Sequence, residues 1–317
     1  MALSAPLIKL TALEVEVESV AKGAVIASAP IEELVYDLTI NPGMPFTQRK
    51  GSGKKMGNAA TGVVGSPRIG TCTFTMEFRN SAAATLNTAL VACLQACGVE
   101  QTAQVYTPTS VHATQNTVTL TAYENGVKKQ LVGAMGEAEI YNNTEDGRIL
   151  VDFDFTGRWI APVDGAMPTI DHSVTMPFIW GTPPGAFTLA AESIKISSFR
   201  FKLGNNVIVR PDAGNFGVAY AMISDTDTTL TIDPDMDLIA GYDIYGAWLA
   251  GTEVAVSLIL ADGTDKATLA IPKFQYREIA EGDRDNVMIN DVTGQCNFAA
   301  IDTGDDSWTL TIADDGV

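Results

Sequence analysis

Two histidines, four cysteines and 38 acidic side chains are the groups from which this 317-residue chain could build catalysis or a metal site. His112 follows a Pro-Thr-Ser stretch and His172 lies among prolines. Neither has a serine or cysteine elbow beside it, so the sequence predicts solvated histidines rather than a general base. No Gly-x-Ser-x-Gly nucleophile elbow occurs. Gly51-Ser-Gly-Lys54-Lys55 carries the lysine of a phosphate loop. Yet Gln48 stands where its first glycine belongs, and Lys55 where the magnesium-holding hydroxyl belongs. Asp225, Asp227, Asp233, Asp235 and Asp237 form one acidic run; Asp283, Asp285 and Asn286 form another. Neither has the glycine and twelfth-position glutamate of a calcium hand, and both read as exposed loops. Cys93 and Cys97, at i and i+4 with no further pair nearby, read as buried thiols. The expectation is therefore no enzyme, no catalytic residue, no cofactor and no metal.

The elements around these groups are mostly strands. Cys72, Phe74, Met76 and Phe78 alternate with Thr71, Thr73, Thr75 and Glu77, a period of two that puts the apolar side chains on one sheet face. The same alternation runs through Leu13–Val17 against Glu14, Glu16 and Glu18, then Leu34–Ile40 and Val118–Leu120. It recurs in Ile149–Phe155 with Asp152 and Asp154 facing away, and in Phe199–Leu203, Val254–Leu260 and Trp308–Ile312. β-Branched and aromatic residues fill these rows, as strands favour. Two segments read as helices. Ser81 to Cys97 carries Leu86, Leu90, Cys93, Leu94 and Cys97 at helical spacing, with Asn80 or Ser81 as cap and Gly98 as stop. A second helix is expected from about Pro234 to Leu249, capped by Asp233.

An internal offset organises these elements. Asn125-Gly126 and Asp262-Gly263, both type I′ hairpin signals, lie 137 residues apart, as do Thr156-Gly157 and Thr293-Gly294. Acidic turns, Glu145-Asp146-Gly147 and Gly282-Asp283-Arg284, fall between them in each half. The sequence thus predicts a mainly β protein, all-β with one flanking helix per domain, built as two tandem domains over 1–170 and 171–317. Pro162, Pro168, Pro177, Pro183 and Pro184 mark the boundary, since proline is unsuited to a central strand.

Charge sets limits on partners. Lysine and arginine number 20 against 38 acids, a net charge of −18 that repels nucleic-acid phosphates and anionic lipid heads. No run approaches the roughly 18 apolar residues of a spanning helix. Four unevenly spaced cysteines and a start without a signal pattern suit a reducing cytosol. One basic island interrupts the acidity. The segment 41–67, with six glycines and three prolines, is too long for an ordinary connection and holds Arg49, Lys50, Lys54 and Lys55, with Arg68 just beyond. It reads as an arm that meets an acidic surface on another copy.

Several pieces in order resemble the bacteriophage tail tube (major tail protein) family over most of residues 1–170. They are the Met-Ala-Leu-Ser-Ala-Pro-Leu start, Tyr36-Asp-Leu-Thr-Ile-Asn-Pro42, Gly70-Thr-Cys-Thr-Phe-Thr-Met-Glu-Phe78, and the helix ending Ala96-Cys97-Gly98-Val99. Tyr106-Thr-Pro-Thr-Ser110, Gly133-Ala-Met-Gly136 and Phe153-Asp-Phe-Thr-Gly157-Arg-Trp-Ile-Ala-Pro162 follow. The chain departs from single-domain members in being about twice as long. The resemblance implies a β-sandwich with a flanking helix in each domain, and four strands per domain entering the wall of a ring. Six domains, here three chains, would close a lumen of about 24 strands, wider than the 16–18-stranded barrels that already hold an aqueous channel. It also implies head-to-tail stacking, with the 41–67 loop reaching across ring interfaces. The implied partners are further copies and other tail proteins such as the tape measure, terminator and tip, with DNA in transit and no membrane. The implied place is the virion tail, assembled in the bacterial cytoplasm. A carbohydrate-binding or adhesion β-sandwich is the alternative. It would need exposed aromatic platforms, whereas Trp159, Trp248 and Trp308 fall in patterns that predict packing.

Overall fold

The computed structural model describes residues 11–314 apart from 19–21, 25–30, 34, 50–61, 83, 170–174, 301 and 303. The chain is mainly β. Its first half runs β1 (Thr11–Val17), β2 (Ile31–Glu33), β3 (Tyr36–Pro42), β4 (Phe46–Thr47), β5 (Val63–Val64), β6 (Ile69–Glu77), β7 (Asn80–Ala82), β8 (Thr85–Leu86), α1 (Thr88–Ala96), β9 (Val99–Thr102), β10 (Val105–Pro108), β11 (Val118–Glu124), β12 (Val127–Asn142) and β13 (Ile149–Asp164). The second runs β14 (Ala186–Leu189), β15 (Glu192–Ser193), β16 (Phe199–Lys202), β17 (Asn205–Pro211), β18 (Val218–Thr226), β19 (Thr229–Ile232), α2 (Ile244–Leu249), β20 (Glu253–Ala261), β21 (Asp265–Arg284), β22 (Val287–Asn297) and β23 (Thr309–Asp314).

The same antiparallel order occurs twice. In the first half it is β2-β1-β11-β12-β13-β6-β3. In the second it is β15-β14-β20-β21-β22-β19-β16. Each helix falls between corresponding strands, and each half inserts a hairpin between its third and fourth corresponding strands, β4–β5 in one and β17–β18 in the other. Among the described strands, ladder pairing joins the halves at two places. β16 pairs with β12, and the C-terminal β23 pairs with both β21 and β10. One apolar cluster runs through both, with Phe74, Phe153 and Phe155 from the first half and Phe199, Phe201, Phe274 and Trp308 from the second. Packed rings such as Phe78 and Phe178, tilted with centres 5.3 Å apart, join the two contributions.

Local chemistry moves several boundaries from their expected places. α1 starts at Thr88 rather than near Ser81, because Asn87 Oδ1 accepts from the Ala89 and Leu90 amides while Asn80–Ala82 and Thr85–Leu86 pair as β7–β8. The helix does end at Gly98, whose φ of +79° favours glycine. α2 is only six residues long, capped by Asp243 rather than Asp233. Asp233 instead accepts from the Ser197 and Ser198 amides, and the chain after it stays extended beside β22, with Asp235 bridged to Ile289. Asn125 and Gly126 both have positive φ, the type I′ pattern. At Asp262 the loop is longer, with Asp262 Oδ1 accepting from the Thr264 and Asp265 amides. The second tight turn is Asp285-Asn286, both at positive φ, and Gly282–Arg284 belong to β21. Pro162 lies inside β13, in its exposed last turn of strand.

The predicted outward row of β1 is also covered. Glu14 and Glu18 are buried, and Glu18 accepts from Thr117 Oγ1 (2.6 Å), Thr119 Oγ1 (2.7 Å) and the amides of Gly23 and Gly133. Four donors compensate the buried carboxylate, so alternation here marks two kinds of interior rather than core and solvent.

Candidate assembly surfaces

The joint between the halves is built from the short strand β16. Phe199 and Phe201 point into the core, and Arg200 and Lys202 alternate to the other face. Its partner residues are Glu139, Ile140 and Tyr141 on β12, in the register Glu139↔Lys202, Ile140↔Phe201 and Tyr141↔Arg200. Arg200 reaches Glu139 at 2.6 Å and lies over the Tyr141 ring at 4.8 Å. Asn142 locks the entry to the strand, accepting from the Phe199 amide and donating to Ser197 O, each at 2.8 Å. Glu137 locks the exit, accepting from the amides of Gly204 (2.7 Å) and Asn205. Burial nevertheless raises the Glu137 carboxyl above its usual value, offset in part by those two amides and Lys202.

Pairing runs unbroken across this joint. β3, β6, β13, β12, β16, β19, β22 and β21 form a ribbon of eight antiparallel strands in that order. One face of the ribbon is the core. The other is polar, with Thr71, Thr73 and Thr75 on β6, Asp152 and Asp154 on β13, and Glu137 and Glu139 on β12. Glu137 stands opposite Asp154 and Glu139 opposite Asp152, like charges in adjacent strands that cost stability. Hydroxyls relieve part of this, as Thr75 Oγ1 (2.6 Å) and Tyr141 OH (3.2 Å) both donate to Asp152. Burial, and then Asp152, push the Tyr141 phenol up to about 12. Partial burial raises the Asp154 carboxyl. Even with Arg200 and Lys202 on the same side, Glu137, Glu139, Asp152 and Asp154 leave this part of the sheet face with an acidic excess that disfavours phosphates.

The ribbon ends in two open edges. Among the described residues, β3 pairs only with β6, so its far side is unmatched. At the other end β21 pairs with β20 as far as Gln275, and beyond that point residues 276–284 have β22 on one side only. On β12 the corresponding side, vacated by β11 after Ala134, is the one β16 occupies. Exposed backbone donors and acceptors along an edge invite another strand.

The residues singled out from sequence are dispersed. Arg49 is exposed beyond the β4–β5 pair; Lys50, Lys54 and Lys55 lie outside the described residues. Arg68 is engaged within the chain, its amide donating to Phe216 O (3.1 Å) and its guanidinium 3.8 Å from the Phe216 ring centre. His112 is not solvated as expected. Its ring is half-buried and stacked on Tyr220 at 6.2 Å, with Nδ1 against Gln115 Oε1. His172 lies outside the described residues. The acidic runs do not converge: Asp227 pairs with Arg277, while Asp233 and Asp235 pair with Arg284. Among the described residues no group of three or more His, Cys, Asp or Glu is placed to hold a metal ion. Cys93 and Cys97 are buried, and burial raises the Cys97 thiol well above its ordinary value. Trp308 and Trp159 pack against the core, whereas Trp248 on α2 is exposed beside Leu249.

Sequence reasoning missed Glu137, Glu139 and Phe201 as joint residues. The row Phe199–Leu203 marks Phe201 as strand and no expected row covers Glu137 or Glu139, and no local pattern says which strand lies alongside.

No described helix is long and apolar enough to cross a membrane. The chain matches no known protein family and no curated protein.

Proposed function

We propose that this protein is a structural subunit of a bacteriophage tail tube, with three copies closing each ring and rings stacking into the conduit for DNA ejection. The observation that carries this reading is the eight-strand ribbon with an open edge at each end. β3 and β16 occupy the same place in the repeated order, and so do β12 and β21. The β12–β16 joint is therefore a template for pairing β21 of one copy with β3 of the next. Such an edge-to-edge contact is heterologous, and it closes when the rotation per copy divides a full turn. Three copies supply about 24 strands, beyond the 16–18 at which barrels hold an open aqueous channel. The face carrying Glu137, Glu139, Asp152 and Asp154 then lines the lumen, where it keeps a polyanionic duplex from adhering. No turnover belongs to this role, and other tail proteins are the expected partners at the tube ends.

Negative-stain imaging of concentrated protein, with native mass measurement, tests it. Rings or tubes containing three chains per ring are expected. Six full-length chains per ring would reject the three-copy closure, and dispersed single chains at every concentration would reject the tube.

A further inference from the structure

The two inserted hairpins hold corresponding places in the chain and differ in their surroundings. Hairpin β17–β18 continues from β16 along β12 and lies across the other half. Leu203 N donates to Ala138 O (3.1 Å), Asn205 Nδ2 to Gly136 O (2.9 Å), and Arg158 to Val218 O (3.3 Å). Ala221 and Ile223 are buried there against Met135. Gly133, at φ +61° in the β12 bulge, admits this approach, for a Cβ would sit 2.8 Å from Tyr220 Cβ. Among the described residues, hairpin β4–β5 has no such cover. Phe46 is 64 %, Val63 47 % and Val64 62 % exposed.

We infer that hairpin β4–β5 of one copy docks on the polar, non-core face of β21–β22 of a second copy, as β17–β18 docks on the same face of β12–β13 within one chain. This rests on the tube reading and names the surface its arm meets. Thr156 pairs with Met135 and the corresponding Thr293 pairs with Glu278, so Glu278 and Ala280 stand where Met135 and Glu137 stand in the first half. Both are exposed, as is Asp291 opposite Ala280. The charges are complementary, because the arm carries exposed Arg49 and the face carries Glu278 and Asp291. The chain's own β21 is out of reach. It lies seven strand spacings from β3, about 34 Å across a sheet at about 4.8 Å per strand. The seven residues from Pro42 to Arg49 span at most about 25 Å.

Thr47→Cys and Ala280→Cys, placed in separate copies that also carry Cys296→Ser, test the docking when mixed and oxidised under assembly conditions. Covalent heterodimers on non-reducing denaturing gels are expected. The double variant Thr47→Cys/Ala280→Cys should yield covalent dimers and trimers. Rings on the grid without covalent dimers, or a cross-link confined to single chains, would overturn the docking and leave the ring intact. Absence of both rings and cross-links would overturn docking and ring together. Glu278→Lys/Asp291→Lys provides a second arm: the concentration needed for assembly should rise at least tenfold with the melting temperature unchanged, and Arg49→Glu should recover most of it. Assembly at the unaltered concentration would overturn the docking.

Discussion

Phe201 stands opposite Ile140 in antiparallel register, and both side chains are buried in the same apolar cluster. A residue of the second half thus completes the core of the first. Phe201→Ala removes a fully buried ring and should cost about 3–5 kcal/mol. Because the cluster draws on both halves, calorimetry should show one unfolding transition displaced as a whole. Two transitions, only one of them displaced, would contradict a shared core.

Adjacent residues of a strand turn their amides to opposite sides, so one of Ala280 and Glu281 directs its N–H to β22 and the other to the open edge. Ala280→Pro and Glu281→Pro should therefore differ sharply. One variant should lose a ladder bond and melt lower. Its neighbour should melt near the wild-type temperature yet form no rings on the grid, because proline gives an edge nothing to donate.

Glu18 is 4 % exposed and collects four donors from three segments of chain. Glu18→Ala strands them all, at about 1–3 kcal/mol for each donor left dry. Urea denaturation should give a loss of at least about 2 kcal/mol, and Glu18→Gln a smaller one, since its carbonyl oxygen still accepts.

The acidic face makes stability depend on pH with a definite sign. The Asp154 carboxyl is raised above its ordinary 3.8 by partial burial, so the folded chain holds that proton more tightly than the unfolded chain. The resulting stabilisation is complete below pH 3.8 and is lost as pH rises through the raised folded value. Asp154→Asn escapes this loss. Its urea midpoint should exceed wild type at pH 7, with the gap closing toward pH 3; a constant gap would remove burial of the charge as the cause.

Much of the fold is legible locally. The rows at Cys72–Phe78, Ile149–Phe155 and Val254–Leu260 became β6, β13 and β20 because alternation reports burial directly. What failed were positions where one polar side chain had two uses. Asp233 has the form of a helix cap, but Ser197, Ser198 and Arg284 claim its carboxylate and the segment stays extended. The acidic motif 282–284 lies just before a turn whose positive-φ positions are Asp285 and Asn286. Neither outcome follows from spacing, since both depend on partners distant in sequence. The joint at Ile140 and Phe201 was hidden for the same reason.

The β12–β16 joint has a kinetic corollary. Two surfaces tethered on one polypeptide meet at an effective concentration in the millimolar range, whatever the bulk amount of protein. Contacts that must form between separate molecules enjoy no such help. Dilution would thus dismantle an assembly only at alternate seams, and the fragment released is always the whole chain with its internal seam still sewn.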